Sequence, residues 1–283
     1  MKTSTWFGVC ALATLGVAGR PSAQLRDAPI PHAGGQSVTP SFEGWYSNAD
    51  GSFSLSFGYM NRNYKEELDI PVGVNNRFEP GPSDRGQPTH FLTRRHTGVF
   101  VVVVPNDFGD RKLTWTLTAH GQTISIPGHL RPEWQIDALK DIASGNTPAV
   151  VRFDPSGVQG QGPGGTSGSA TVTLPAAATL TAWVTDDRVR KRGQGGGDER
   201  RRGPDLGVVW SPYRGPGKVT FSDVAPKIDE ATGKTTTTAS FSTPGDYVLR
   251  LLAWDSSGGP ANGIMAVGFQ CCWTNGYMRV TVR

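Results

Sequence analysis

The stretch Phe42–Asn63, FEGWYSNADGSFSLSFGYMNRN, decides the class of fold. Phe53, Leu55 and Phe57 recur at every second position with serines between them, so they share one face of an extended strand. Ahead of them, Asn48-Ala49-Asp50-Gly51 gathers residues that favour tight turns, and the two features together read as a hairpin. The pattern continues outward. TGVFVVVVP, residues 97–105, is a continuous apolar, β-branched run closed by a proline, as expected of a strand buried on both faces. LTWTLTAHGQTISIPG, residues 113–128, alternates Leu113, Trp115 and Leu117 before a His120-Gly121 turn and forms a second hairpin. Only PEWQIDALKDIA, residues 132–143, invites a short helical turn. Residues 39–150 therefore read as one β-sandwich.

Composition agrees. The 283 residues allow roughly two domains of ~100–200 residues each. With 37 glycines and 21 prolines, about a fifth of the chain is turn-forming, which favours many short elements over long helices. A formal net charge of +4 spread over this length is far from the concentrated basic stripe of a nucleic-acid surface, so no nucleic-acid partner is expected.

Residues 1–23 carry Lys2, then an apolar stretch from Trp6 to Ala18 too short to span a bilayer, then small residues, the layout of a secretory signal peptide. No later segment approaches transmembrane length. The chain is expected to be secreted, to the periplasm or the extracellular space. Residues 24–38, polar and Pro-rich, read as a flexible leader. Cleavage would remove Cys10 and leave Cys271 and Cys272 as the remaining thiols. No histidine follows His129, so local zinc spacings cannot be assembled around the pair. In an oxidising compartment an adjacent-residue disulfide between Cys271 and Cys272 competes with free or intermolecular thiols.

Residues 151–169 form a glycine-rich segment whose core, DPSGVQGQGPGGTSGS (154–169), cannot bury enough apolar area to order itself and reads as a flexible linker. Domains on either side would be free to reorient, and a joint site between them would be poorly preorganised.

Beyond the linker, ATVTLPAAATLTAWVTDD (170–187), LGVVWSPYRGPGKVTFSD (206–223), TTTTASFSTPGDYVLRLLAWDSSG (235–258) and YMRVTV (277–282) resemble, in order and spacing, the PKD-related Ig-like domains that recur in bacterial secreted and surface proteins. The resemblance covers about residues 168–283 and implies a two-sheet sandwich, here assigned to residues 170–283. In that frame Trp210 is a buried anchor, and Tyr247, after Pro244-Gly245-Asp246, returns its hydroxyl to nearby backbone. The sequence departs from the family at RVRKRGQGGGDERRRGPD (188–205), a long polar insertion, and at the loop holding the cysteine pair. The first domain is similar to uncharacterised secreted bacterial proteins through EGWYSNADGSFSLSFGYMNRN, EELDIPVGVNNRFEPG, RGQPTHFL and LTWTLTAHGQT. The fold expected is all-β, two Ig-like sandwiches joined by a Gly-rich linker.

Candidate chemistry is sparse. Glu66, Glu67 and Asp69 offer paired carboxylates, but charged residues entering a strand usually form a solvated face. His90, His96, His120 and His129 lack paired metal-ligand spacing. Asp186 and Asp187 at a strand end, with Asp255 in a Gly-rich loop, are candidate calcium ligands, or else turn caps; no other cofactor is expected. The arginines of the insertion, Arg188 to Arg202, could meet an anionic polymer or form a solvated excursion. Trp45, Tyr46, Tyr59 and Tyr64 could stack on sugar rings, though such residues are more often core. The reading that follows is a non-catalytic binding or structural module of the bacterial envelope or extracellular space, recognising a polysaccharide or a secreted or surface protein. A hydrolase with its site in the first domain and a self-assembling surface component are the alternatives.

Overall fold

A computed structural model describes residues 32–142, 145–187, 206–255, 260–261, 264–265 and 271–283. Residues 1–23, read as a signal peptide, the first part of the segment read as a leader, and the basic insertion lie outside these residues.

The hairpin around Asn48–Gly51 forms as the alternation requires. Strands β1 (Val38–Ser47) and β2 (Phe53–Asn61) pair antiparallel, and β6 (Arg94–Val104), which contains the apolar run, completes the sheet in the order β1-β2-β6. A second sheet, β4-β7-β8, joins β4 (Asn76–Glu79) to the hairpin of β7 (Leu113–Ala119) and β8 (Gln122–Gly128). His120 (φ 48°) and Gly121 (φ 73°) both take positive φ, the two-residue turn that matches strand twist. Leu55, Phe57, Phe78, Phe100, Trp115 and Leu117 fill the space between the sheets. The short strands β3 (Leu68–Asp69) and β5 (His90–Phe91) pair with each other. Where a helical turn was expected, the chain makes a single 3-10 turn, Pro132–Trp134, with no buried residue.

The second sandwich has two four-stranded sheets. One runs β10-β18-β15-β12: β10 (Thr166–Val172), β12 (Leu206–Arg214), β15 (Gly245–Asp255) and β18 (Trp273–Val282), with β10 parallel to β18. The other runs β13-β14-β11-β9: β9 (Val150–Arg152), β11 (Ala178–Thr185), β13 (Val219–Phe221) and β14 (Lys234–Phe241). In chain order these sheets reproduce the arrangement of an immunoglobulin-type sandwich, with the first strand divided between both sheets. Trp210 on β12 is buried at 2 % exposure, and the Tyr247 hydroxyl at the start of β15 donates to the Thr243 carbonyl at 2.8 Å, the tyrosine corner expected there. A further pair, each strand two residues long, joins β16 (Pro260–Ala261) to β17 (Ile264–Met265). No helix among the described residues is long and apolar enough to cross a membrane.

Two expectations about the connections change. Val150–Arg152, assigned to the end of the first domain and the start of the linker, pairs with β11 and belongs to the second sandwich. The segment read as a flexible linker is tied down: Gly160 bridges Val151, the Gly162 amide donates to Thr274 Oγ1 at 2.9 Å, and Thr166–Val172 is strand β10. Low apolar content did not free this segment, because its glycines let backbone approach backbone. A Cβ on Gly165 would stand 1.7 Å from the Asn275 carbonyl oxygen. The last leader residues are likewise held, with the Tyr64 and Lys65 amides donating to the His32 and Ala33 carbonyls. Residues His32–Arg283 form one compact unit.

Candidate functional site

The outer face of the β18-β15-β12 sheet positions the site. Along β15, Leu249, Leu251 and Ala253 face the sandwich core, while Val248, Arg250 and Leu252 alternate to the other side. That side is not solvated. Tyr213, Val248 and Tyr277 from this sheet pack into the core of the first sandwich.

At the centre of the junction lies Arg250, only 5 % exposed. Its Nε and Nη2 donate to Asn275 Oδ1 at 2.9 and 2.7 Å, and among the described residues no carboxylate pairs with it. Burial holds its pKa below the usual value, although Tyr277, Tyr59 and Tyr213 nearby favour the charged form. Asn275 in turn donates to the carbonyls of Gly98 (2.9 Å) and Pro163 (2.8 Å), joining the first sandwich, the glycine-rich segment and β18 in one residue. Trp273 Nε1 also donates to the Gly98 carbonyl at 3.2 Å, and the Tyr277 hydroxyl donates to Val99 at 2.8 Å. Gly98 has φ 54°, and a Cβ there would lie 2.1 Å from the Trp273 ring, so the position admits only glycine. Beside this, the Thr89 amide donates to the Tyr213 carbonyl at 3.0 Å, and Arg214 grips Asp84 through two bonds of 2.7 and 2.9 Å.

Between these contacts a cleft of about 250 Å³ opens, lined from both sandwiches and from the glycine-rich segment by Phe100, Gly164, Tyr213, Arg214, Tyr277 and Arg279 among others. The joint surface expected to be poorly preorganised is instead built from ordered backbone and buried side chains.

The residues singled out from sequence are dispersed. Trp45, Tyr46 and Tyr59 are buried at 8, 6 and 2 % exposure and cannot stack on a ligand. Trp45 packs edge-on to Phe53 and donates its indole N–H to the Arg131 carbonyl; Tyr46 packs with Ile136 and Ala138; Tyr59 lies on His96 and accepts from the Leu92 amide. Of the four, Tyr64 alone is exposed, with Lys65 Nζ 5.7 Å from its ring centre. Asp186 and Asp187 stand at a strand end as read, whereas Asp255, read as part of a Gly-rich loop, is the last residue of β15, and two of the three are seen to engage protein groups: Asn146 Nδ2 donates to Asp255 Oδ2, and Thr147 Oγ1 donates to Asp187 Oδ2 at 2.7 Å. Asp186 follows the end of β11. Cys271 and Cys272 are both buried, joined by a cis peptide, with their sulfur atoms 1.90 Å apart.

All three carboxylates considered for hydrolysis meet histidines. Asp69 Oδ1 lies 2.7 Å from His90 Nδ1, Glu67 Oε2 lies 3.1 Å from His90 Nε2, and Glu66 faces His120 at 3.3 Å. Burial disfavours the His90 imidazolium, but the two carboxylates outweigh it and raise its pKa; the same contact lowers that of Glu67. His96 is buried and its pKa is pushed down to about 4, mainly by desolvation. His129 packs edge-on against Phe42 and Trp134. Among the described residues no three such groups converge to hold a metal. Arg250, Asn275, Arg214 and Arg279 escaped the sequence reading. One signal did exist: YVLRLLAW is apolar at both alternating sets of positions, the mark of a strand covered on both faces.

Neither a protein-family model nor a curated relative matches the chain. Among solved structures, it is similar to the D0-D1 domain of intimin (12 % identity, 87 % of this chain and 98 % of that one, TM-score 0.23). It is also similar to the titin Ig tandem domains A164-A165 (10 % identity, 88 % and 99 %, TM-score 0.22). At these scores the likenesses carry no argument, and the sandwich assignment rests on strand order.

Proposed function

We propose that this chain is a secreted, non-catalytic binding module of the bacterial envelope or extracellular space, which recognises a polysaccharide or a protein at the junction of its two sandwiches. The observation that supports this reading is the junction itself: buried polar residues clasp the sandwiches into one platform with a preformed cleft. The acid-base candidates instead pair with one another at a strand pair outside that cleft. Within this reading Cys271 and Cys272 form an adjacent disulfide just ahead of Trp273 in the chain, and Asp186, Asp187 and Asp255 are the candidate calcium ligands.

The test is binding of residues 24–283 to a panel of polysaccharides and isolated envelope fractions, with and without calcium. Saturable binding without breakdown of the ligand is expected. Turnover that disappears in Glu67→Gln or His90→Gln would replace this reading with the hydrolase. Binding abolished by a calcium chelator would assign the aspartates as ligands.

A further inference from the structure

The charge of the junction cleft goes beyond the general reading. Arg214 and Arg279 line it, and Arg250 is buried against Tyr213 and Tyr277, which form its walls. Among the described residues, the one carboxylate that pairs with these three cations, Asp84, is held by both terminal nitrogens of Arg214. Arg279, exposed on β18, has no carboxylate within ion-pairing distance among the described residues, although its charge helps lower the pKa of Asp84. The cleft is therefore net positive, and the buried Arg250 charge beneath it is screened less by salt than the surface pair.

We propose that this cleft receives a carboxylate carried on a sugar-sized unit, a uronate residue of an acidic polysaccharide, with Arg279 as its charge partner. This rests on the proposed function and names the ligand class for the same site. Size supports it: about 250 Å³ lies below the ~300–1,000 Å³ of typical small-molecule pockets and suits one ring with its substituent, the rest of the polymer lying outside. Shape supports it as well. The planar carboxylate of Asp84 already fits the guanidinium of Arg214 bidentately at the cleft wall, and Arg279 offers a second planar fork of the same kind. The half-buried ring of Tyr277 gives the sugar an apolar edge. An acidic peptide added as a strand at the edge β12 is disfavoured. There the Tyr213 carbonyl already accepts from Thr89 and the Trp210 amide already donates to Val224.

The experiment is calorimetry of the full chain with oligogalacturonate, and with a neutral oligosaccharide of equal length, at low and high salt. Arg279→Glu and Arg279→Ala are compared with Lys227→Glu, which makes the same charge change as Arg279→Glu in the β13–β14 connection. Wild-type protein is expected to bind the uronate and to prefer it over the neutral sugar. Arg279→Glu should weaken that binding at least tenfold and Arg279→Ala severalfold, with Lys227→Glu close to wild type. Equal losses in Arg279→Glu and Lys227→Glu would reduce the effect to bulk charge and overturn the proposal. Preference for the neutral sugar would overturn it while leaving the binding-module reading intact. Silence toward these sugars together with silence across the wider panel would bring down both.

Discussion

Asn76 shows what a single buried amide does in this chain. It is fully buried, donates to the Ile70 and Pro88 carbonyls at 2.9 and 2.8 Å, and accepts from Trp115 Nε1 at 3.0 Å. The irregular chain on either side of β4, at Ile70 and at Pro88, is tied to the strand by it, since those flanks make few ladder bonds of their own. Asn76→Ala leaves three buried groups without partners, and at roughly 1–3 kcal/mol for each unmade bond, partly recovered by water, the expected loss is about 3 kcal/mol in chemical denaturation. Asn76→Asp keeps the acceptor for Trp115 but turns a carboxylate toward two carbonyls, so it should be no more stable. The cysteine pair is tested at the same scale: alkylation without reductant is expected to add no label to residues 24–283. Uptake of two labels would sink the adjacent bridge.

At the scale of elements, β3 and β5 form a pair two residues long, too short to hold by backbone bonds alone. His90 closes it by facing Asp69 and Glu67 with both ring nitrogens, a geometry that the imidazolium satisfies and neutral imidazole cannot. Because the folded pKa of His90 is raised, its contribution is complete below the ordinary 6.5 and is lost as pH rises through the folded value. Glu67, lowered, contributes fully above its ordinary 4.5 and loses that as pH falls. The clasp is therefore strongest between about pH 4.5 and 6.5. The difference in Tm between wild type and His90→Gln should be greatest in that window and shrink toward pH 9. Taking the difference removes the opposite trend of His96, whose lowered pKa favours folding at higher pH. A difference independent of pH would refute the clasp.

At the scale of the molecule, the junction makes two sandwiches into one unit. Asn275→Ala removes the acceptor of the buried Arg250 and both bonds that reach Gly98 and Pro163. Leaving a buried charged donor without its hydrogen-bond acceptor costs about 1.5–3 kcal/mol. Wild-type protein should unfold in a single calorimetric transition, and Asn275→Ala should split it into two, one for each core. Two transitions in the wild type would mean that the junction does not couple the sandwiches.

Period-two alternation, turn residues at Asn48–Gly51 and His120-Gly121, and the Pro-Gly-Asp-Tyr corner were enough to determine from sequence that the chain is all-β, and where most strands lie. These features are local, each depending on neighbours a few residues away. The aromatic residues were legible only as apolar, because alternation assigns Trp45, Tyr46 and Tyr59 to strands without saying which face is covered. Composition misjudged the glycine-rich segment, since low apolar content predicts mobility only where nothing else binds the backbone. The role of Arg250 was invisible for the same reason: its amide partner lies 25 residues away, and the bonds from that amide to Gly98 and Pro163 span 177 and 112. Tertiary structure alone decided the junction, because its contacts join residues whose spacing in the chain carries no periodic signal.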